Sequence, residues 1–242
     1  MTLQVDRAVP ARALAIGAHP DDIEFGCGAT LAKWAAQGCA VHLLVLTDGS
    51  KGTWSPDEDL AALVTTRQRE QRAASAALGA RAVHFFDVVD GELTAERALE
   101  ARVCATIRQV RPDVVFGHDP WKRGRLHPDH RSAGWLTLGA VVAARDPHFF
   151  PEQPDPPHRP AVVALFEPER VDYVETLEPA HVDAKINALL CHRSQWRSTM
   201  GIDERPEEQL AAFERSLRDE AAADGLRAGL RFAEAFSAID DV

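Results

Sequence analysis

The alternation of short apolar segments with longer amphipathic ones constrains the fold of this chain more than any other feature. Four apolar segments are predicted to be buried strands: 12–17, 40–47, 82–88 and 114–118. Strands that alternate with helical segments form a mostly parallel sheet with helices on both faces. The sequence therefore predicts an α/β fold, a Rossmann-like three-layer sandwich in which the strands follow the order third, second, first, fourth.

The remaining elements follow from helical periodicity and from the proline content. Helices are predicted between these strands over 28–38, 59–80 and 95–110. Beyond them, two strands (161–168 and 170–176), two helices (178–192 and 207–223) and a final strand (230–239) are predicted. The boundaries of these elements are placed where a glycine ends a helix, where prolines interrupt regular structure, or where the amphipathic spacing of apolar residues stops.

All 242 residues are assigned to one domain, because a chain of this length can bury one sizeable core. The domain divides into a core over 11–145, an irregular proline-rich loop over 146–160 and further strands and helices over 161–242. Proline excludes helix and inner strand from the loop. The loop is either a lid over the functional site or a variable surface excursion.

Composition excludes several classes of function. The net charge of -10 is spread along the chain without a basic run, so nucleic acid is not an expected partner. The apolar stretch 134–144 is shorter than the roughly 20 residues that span a bilayer, and no signal-like N-terminus is present. A cytoplasmic location is therefore expected. The scattered cysteines are expected to be reduced packing residues: Cys27, Cys39, Cys104 and Cys191.

A polar cluster follows the first predicted strand. The apolar residues 13–16 lead into His19, Asp21 and Asp22, with Pro20 between them. Adjacent carboxylates repel each other and are strongly hydrated, so packing alone gives no reason to place them at the end of a buried strand. A positively charged partner is therefore expected at this position.

A second cluster follows the fourth predicted strand. His127 and His130 are three residues apart, and Pro128 suits the first turn of a helix, so both imidazoles are expected on one helix face. Because the first and fourth strands are neighbours, the two clusters should face each other across one crevice. Imidazole and carboxylate donors without thiolates are typical of a catalytic zinc site, and they also accept Fe²⁺. These arguments leave open which of the two adjacent aspartates binds the metal.

A dinucleotide-binding fingerprint is the alternative interpretation of the first cluster. Gly26 and Gly28 follow a strand, and Asp48 ends the next strand about 20 residues later. However, the third glycine of that fingerprint is missing. Asp21 and Asp22 would also occupy the turn where a pyrophosphate needs bare backbone N–H groups. A nucleotide-binding module without a metal is therefore the less favoured function.

These residues resemble the LmbE-like/PIG-L superfamily of zinc-dependent N-deacetylases. The resemblance rests on AHPDD (18–22) and HPDH (127–130), and it extends through LTDG (46–49) to AEAF (233–236). It implies a zinc hydrolase that removes the N-acetyl group from an N-acetylglucosamine-containing small molecule and releases acetate and a free amine. A zinc amidase that cleaves a larger amide, such as a thiol conjugate, is the alternative.

The resemblance also implies roles for single residues. Three of them look like the zinc ligands: His19, Asp22 and His130. Asp21 looks like the general base that takes a proton from water. A protonated His127 would stabilise the oxyanion or serve as an acid. Asp129 would not bind the metal itself but would orient a histidine.

Substrate contacts are expected from four further residues: Arg67, Asp90, Arg123 and Arg125. The resemblance assigns Arg67 to the substrate, and a place on the exposed face of its helix is the alternative. Asp90 would accept hydrogen bonds from sugar hydroxyls or start a turn with Gly91. Arg123 and Arg125 form a local basic patch, which favours a substrate with phosphate or carboxylate. A small amino-sugar substrate is expected, and the oligomeric state is left open, with a homo-oligomer among the alternatives.

Overall fold

One eight-stranded sheet runs through residues 3–242, the part of the chain that the computed structural model describes. Its strands are β1 (Gln4–Val5), β2 (Arg12–Gly17), β3 (Ala40–Thr47), β4 (Ala82–Val88), β5 (Val114–His118), β6 (Val162–Phe166), β7 (Tyr173–Thr176) and β8 (Ala233–Asp240). Their order across the sheet is β1-β7-β8-β6-β5-β2-β3-β4. Strand β8 is antiparallel to β6 and β7, and the other pairs are parallel. The four strands expected in the first half of the chain are β2, β3, β4 and β5. They lie side by side in the order β4-β3-β2-β5, which confirms the prediction.

Helices cover both faces of this sheet, as predicted for an α/β sandwich. They are α1 (Asp22–Ala36), α2 (Leu60–Ala77), α3 (Arg97–Val110), α4 (Pro128–Arg145), α5 (Pro179–Leu190) and α6 (Pro206–Leu226). The apolar cluster on one face includes Ile107 of α3 and Leu136 of α4. The cluster on the other face includes Leu31 and Trp34 of α1. Because both faces are covered, polar side chains collect at the carboxyl ends of the parallel strands.

Two elements differ from the prediction. Helix α1 begins at Asp22 rather than at residue 28, and the short strand β1 was not predicted. Gly26 and Gly28 favour a break, but the helix continues through a kink at Cys27, where φ is -150°. Gly26 is required there because a Cβ atom would lie 2.3 Å from the Phe166 ring. Segment 26–28 is therefore helical and does not form the phosphate-binding turn of the nucleotide-binding alternative.

A buried ion pair bridges the kink in α1. Glu234, on β8, accepts hydrogen bonds from the backbone N–H groups of Ala29 (3.1 Å) and Thr30 (2.6 Å), just after the kink. Lys185, on α5, donates to the Glu234 carboxylate (2.9 Å) and to the carbonyl of Phe25 (2.7 Å), just before the kink. Both charged side chains are buried. The start of α1 at Asp22 therefore depends on residues from the C-terminal part of the chain.

Removing one partner of this pair should cost more stability than removing an exposed pair. We expect Lys185→Met to lower the free energy of unfolding by about 3 to 5 kcal/mol, because it leaves the Glu234 carboxylate buried without a counter-charge. Urea unfolding followed by circular dichroism measures the change. Lys51→Met is the matched control, because its ion pair with Glu92 is exposed and should contribute about 1 kcal/mol or less. Equal losses in the two variants would show that the buried pair does not stabilise the kink.

The proline-rich segment 146–160 forms neither helix nor strand, as predicted. Arg108, on α3, is buried beneath it and donates to the carbonyl oxygens of Asp146 (2.9 Å) and Phe149 (2.8 Å). The segment follows the C-terminal end of α4, about 27 Å along the helix from its first turn. None of its residues lines the cavity that His127 and His130 border, which favours the interpretation of this segment as a surface excursion.

Two further features concern the chain as a whole. Within residues 3–242, no helix combines the length and the apolar character needed to cross a membrane. The thiols of Cys27, Cys39, Cys104 and Cys191 are free, and the first three are buried. Their burial agrees with the predicted role of the cysteines in packing.

Candidate metal centre

The sheet brings the two polar clusters together. Strands β2 and β5 are hydrogen-bonded neighbours, with Ala15 opposite Phe116. The first cluster follows β2 and reaches the N-terminal turn of α1, and the second follows β5 and reaches the N-terminal turn of α4. The dipole of α1 favours the negative charge of Asp22 in its first turn. The expectation that the two clusters face each other is therefore met by the order of the strands.

Donor atoms of three side chains lie close to one another. His19 Nδ1 is 3.2 Å from His130 Nε2, and the two oxygens of Asp22 each contact one of these nitrogens at 3.2 Å, Oδ2 that of His19 and Oδ1 that of His130. Ligands bound at about 2.0 to 2.1 Å from a tetrahedral metal ion are about 3.3 Å apart. The spacing therefore fits one metal ion held by these three residues, and a fourth tetrahedral position remains for water or substrate.

Other combinations of the described residues also bring donor atoms close together: Asp22, His118 and His130; His19, His127 and His130; and His19, Asp90, His127 and Asp129. His19, Asp22 and His130 line the adjoining cavity, whereas His118 does not. A metal ion that polarises a substrate needs access to that cavity. His127 Nδ1 and Asp129 Oδ2 accept backbone N–H groups, but so does Asp22 Oδ2, from His19 at 2.7 Å, so this feature does not separate the combinations. The set of His19, Asp22 and His130 lies wholly on the cavity and supplies a carboxylate as well as two imidazoles, so this donor set is the favoured metal position.

Buried carboxylates orient His19. Asp129 is 0% exposed, and its Oδ2 lies 3.2 Å from His19 Nε2 and accepts the backbone N–H of Gly91 at 2.6 Å. Asp90 Oδ1 lies 3.1 Å from the same ring nitrogen. Burial alone would lower the pKa of His19, but Asp22 above all, with Asp129 and Asp90, holds that pKa well above its usual value. A metal ion at the donor set would replace the proton on Nδ1, while Nε2 would keep its proton for the two carboxylates. Asp129 thus contacts a histidine of the donor set, which is the arrangement that the resemblance implies.

His118 and Arg125 contact the cluster from another side. His118 Nε2 lies 3.2 Å from Asp22 Oδ2, and its ring stacks on His130 with 4.5 Å between centroids. The Arg125 guanidinium lies 3.1 Å from His118 Nδ1 and 3.0 Å from His130 Nδ1, and it pairs with Glu167. Burial alone would raise the pKa of Asp22, but the surrounding histidines, His130 above all, hold that pKa well below its usual value. Asp22 is therefore an anionic donor.

Asp21 is buried beside the donor set in a strained backbone conformation. Its φ is 104°, in the region that favours glycine, and its backbone N–H donates to Gln71 Oε1 at 3.0 Å. Arg67 donates to the Pro20 carbonyl (2.5 Å) and lies 3.3 Å from Asp21 Oδ2. Burial raises the pKa of Asp21 to about 6, although the charge of Arg67 opposes the shift. This proton affinity suits a general base that acts near neutral pH.

His127 lines the cavity from the position just before α4. Its side chain is 43% exposed, and its Nδ1 accepts the backbone N–H of Asp129 at 3.3 Å. Burial lowers its pKa, and the neighbouring His19 and His130 lower it further. A neutral ring whose Nδ1 accepts carries its proton on Nε2. The structure therefore favours a neutral N–H donor over the protonated His127 that the resemblance implies.

Two of the residues expected to contact substrate line the cavity of about 320 Å³ beside the donor set: Arg67 and Asp90. Arg67 is only 3% exposed, so its alternative placement on an exposed helix face is wrong. Asp90 accepts the backbone N–H of Lys51 at 3.1 Å through the oxygen that does not contact His19. Both predicted residues thus border the space that a substrate would enter.

Arg123 and Arg125 do not line this cavity. Arg123 is 90% exposed and pairs with Glu169 at 2.6 Å. Arg125 is 7% exposed and packs against the histidines of the cluster. The basic patch expected from the sequence is therefore divided between the surface and the interior. A role of these arginines in attracting an anionic substrate stays a prediction.

Sequence reasoning missed the polar residues that hold Asp21 in place. Gln71 accepts the Asp21 N–H and donates to Glu24 Oε1 at 2.5 Å. The i, i+4 spacing of Arg67 and Gln71 places both on one face of α2, and this spacing is the signal that the sequence offers. A second contact of α2 gives no local signal in the sequence. Glu70 of α2 accepts the backbone N–H of Ser194 at 3.0 Å, and Ser194 comes 124 residues later, after α5.

The fold and the donor set together define the class: an α/β protein with a candidate mononuclear metal centre at the carboxyl ends of its strands. The sequence profile of the PIG-L family, described as GlcNAc-PI de-N-acetylase, matches residues 14–141. The chain belongs to this family.

Similar proteins carry names for more than one reaction. The chain is 32% identical to a diacetylchitobiose deacetylase of Thermococcus kodakarensis, over 92% of this chain and 81% of that protein. It is 29% identical to a 4-oxalmesaconate hydratase of Pseudomonas putida, over 67% of this chain and 63% of that protein. The solved structure of an N,N'-diacetylchitobiose deacetylase from Pyrococcus horikoshii superposes with a TM-score of 0.85 at 27% identity, over 96% of this chain and 84% of that one. The chemistry of the site must therefore decide between reactions.

Proposed function

We propose that the protein is a metal-dependent hydrolase that removes the N-acetyl group from an N-acetylglucosamine-containing small molecule. The buried Asp21 carboxylate beside the His19, Asp22 and His130 donors carries this proposal. Hydrolysis of an amide needs an activated water and a polarised carbonyl, which a metal ion with a neighbouring base provides. The names of the similar deacetylases support an acetamide as the reacting group.

We infer that His19, Asp22 and His130 hold Zn²⁺, with Fe²⁺ as the alternative. Two imidazoles and one carboxylate form a donor set that catalytic zinc sites use, and Fe²⁺ accepts the same donors. The 3.2 Å contacts among these three side chains support a single ion. When bound, Zn²⁺ lowers the pKa of a water molecule to about 7 and polarises a carbonyl oxygen.

Asp21 accepts the proton of the attacking water in this proposal. The bond between the water oxygen and the acetyl carbon forms as that proton moves to the Asp21 carboxylate, and the carbonyl oxygen becomes an oxyanion. A pKa of about 6 leaves Asp21 ionised at neutral pH and still basic enough to take the proton. Arg67 holds the carboxylate in place through its contacts with Asp21 and with the Pro20 carbonyl.

His127 stabilises the oxyanion by donating its Nε2–H, because its Nδ1 is engaged by the backbone of Asp129. The bond between the acetyl carbon and the nitrogen then breaks. The proton held by Asp21 passes to the departing nitrogen, so the amine leaves neutral and Asp21 returns to its carboxylate form. Acetic acid and the neutral amine account for every atom of the amide and the water, and the acid releases its proton to solvent as acetate at neutral pH.

A substrate panel on metal-replete protein tests this proposal. The panel contains N-acetylglucosamine, its β-linked disaccharide, its 6-phosphate and an amide-linked thiol conjugate, and acetate and primary amine are quantified. We expect acetate and amine in equal amounts from at least one N-acetyl sugar. Amine release from the thiol conjugate alone would favour the amidase alternative. 4-Oxalmesaconate is assayed beside the panel, because a similar protein is named as its hydratase, and its turnover without any amide hydrolysis would contradict the proposal.

A further inference from the structure

The strained backbone of Asp21 is held by a side chain from another helix. Its φ of 104° and ψ of -28° lie in a region that residues other than glycine rarely adopt. Such a conformation persists only where the surrounding structure fixes it. The backbone N–H of Asp21 donates to Oε1 of Gln71, which lies 50 residues away on α2, at 3.0 Å. The conformation of the proposed base therefore depends on Gln71.

Gln71 makes this contact in only one of its two amide orientations. A glutamine side chain ends in an oxygen that accepts and an NH2 group that donates, and a half-turn exchanges the two. Gln71 is 0% exposed, and its Nε2 donates to Glu24 Oε1 at 2.5 Å. The opposite orientation would place oxygen against oxygen at Glu24 and N–H against N–H at Asp21. Because a carboxylate accepts and does not donate, Glu24 selects the orientation that turns Oε1 toward Asp21.

The Glu24 carboxylate is itself buried and paired with a histidine. Glu24 and His192 are each 0% exposed, and Glu24 Oε2 lies 3.8 Å from His192 Nε2. Burial lowers the pKa of His192, but Glu24 above all, with Asp21, raises that pKa above its usual value. A protonated ring supplies the counter-charge that a buried carboxylate needs. The pair therefore leaves Glu24 as an acceptor on the side that faces Gln71.

We propose that Gln71 is a positioning residue for the general base, and that Glu24 and His192 act through it by fixing the orientation of its amide. This inference rests on the proposed function, in which Asp21 takes the proton of the attacking water. Gln71 does not line the cavity of the donor set, so its action on the reaction passes through Asp21. A small displacement of a positioned base slows proton transfer without weakening the binding of substrate.

Two variants of Gln71 test this role on N-acetylglucosamine, its β-linked disaccharide and its 6-phosphate, with bound metal measured in the same samples. Gln71→Met has nearly the same length but no acceptor. We expect its kcat to fall at least about tenfold, with KM within about twofold of the wild type and the metal retained. Gln71→Glu keeps an acceptor but brings two carboxylates together, so its kcat should also fall.

Ser75→Ala is the matched control for these variants. Ser75 is buried one turn further along the same face of α2, so its substitution alters a polar side chain of this helix away from Asp21. Its kinetic constants should equal those of the wild type.

Exchange of the two side chains is the sharper test. In Glu24→Gln/Gln71→Glu, the amide at position 24 donates to the carboxylate at position 71, whose oxygens also accept the Asp21 N–H. The pair again carries a single negative charge. We expect the kcat of this double variant to be at least about fivefold higher than that of Gln71→Glu alone. Independent effects on packing do not predict such a recovery, because they would add.

Three results would overturn the positioning role and leave the deacetylase function standing. They are a wild-type kcat in Gln71→Met, a fall in kcat that is matched by loss of metal, and a double variant no more active than Gln71→Glu. A wild type that releases no acetate from any of these sugars would contradict the proposed function and the positioning role together.

Discussion

Asp21→Asn is expected to lower kcat by about 100-fold or more while the protein keeps its metal. Asparagine has nearly the shape of aspartate and can keep the contact with Arg67, but its amide does not accept a proton from water at neutral pH. Asp21 is also outside the proposed donor set, so its carboxylate is not needed to hold the ion. Initial rates of acetate release and elemental analysis of the same samples measure the two properties independently.

The same carboxylate should produce an acid limb in the pH dependence of kcat/KM. A general base acts only when it is unprotonated, so activity should fall as the pH drops through the pKa of Asp21, which is about 6. A bound dication makes the carboxylate more acidic, so the midpoint of the loaded enzyme is expected at about 6 or below. Asp57→Asn is the control, because Asp57 is exposed and should alter neither rate nor profile. Loss of metal from Asp21→Asn would contradict the assignment of Asp21 as the base.

The sheet was predictable because its central strands are continuous apolar runs that end at turn residues. Strands β2, β3, β4 and β5 begin and end where the sequence predicts. The start of α1 was not predictable, because Gly26 and Gly28 are a local signal for a break. Lys185 and Glu234 overcome that signal by holding both sides of the kink, and they lie far away in the sequence. Local patterns therefore give the strands, and distant contacts decide the helix boundary.

The candidate site, like the fold, has parts that the sequence predicts and parts that it does not. The meeting of the two clusters could be predicted because two short spacings, His19 to Asp22 and His127 to His130, follow strands that are neighbours in an α/β sheet. Which of these side chains bind a metal ion stays a prediction that rests on the resemblance. The environment of Arg125 could not be predicted. A sequence gives no reason for an arginine in a polar loop to pack against His130, and the glutamate that pairs with it, Glu167, comes after the proline-rich segment.

Metal binding should distinguish the proposed ligands from the histidine that merely contacts them. We expect His19→Ala and His130→Ala to weaken Zn²⁺ binding by more than about 100-fold, because each removes a nitrogen of the proposed donor set. His118→Ala should weaken it by about 10- to 100-fold at most, which is the range for residues that act through a ligand. His118 contacts Asp22 and stacks on His130 but does not line the cavity. Competition with a chromogenic chelator gives the three affinities.

His148→Ala completes this comparison, because His148 is exposed in the proline-rich segment and its removal should leave Zn²⁺ affinity unchanged. The decisive contrast is between His19 and His118, since both lie near Asp22 and only His19 lines the cavity. If His118→Ala lost the ion and His19→Ala kept it, the ion would be held by Asp22, His118 and His130 instead. That result would contradict the proposed donor set and with it the assignment of His19 as a ligand.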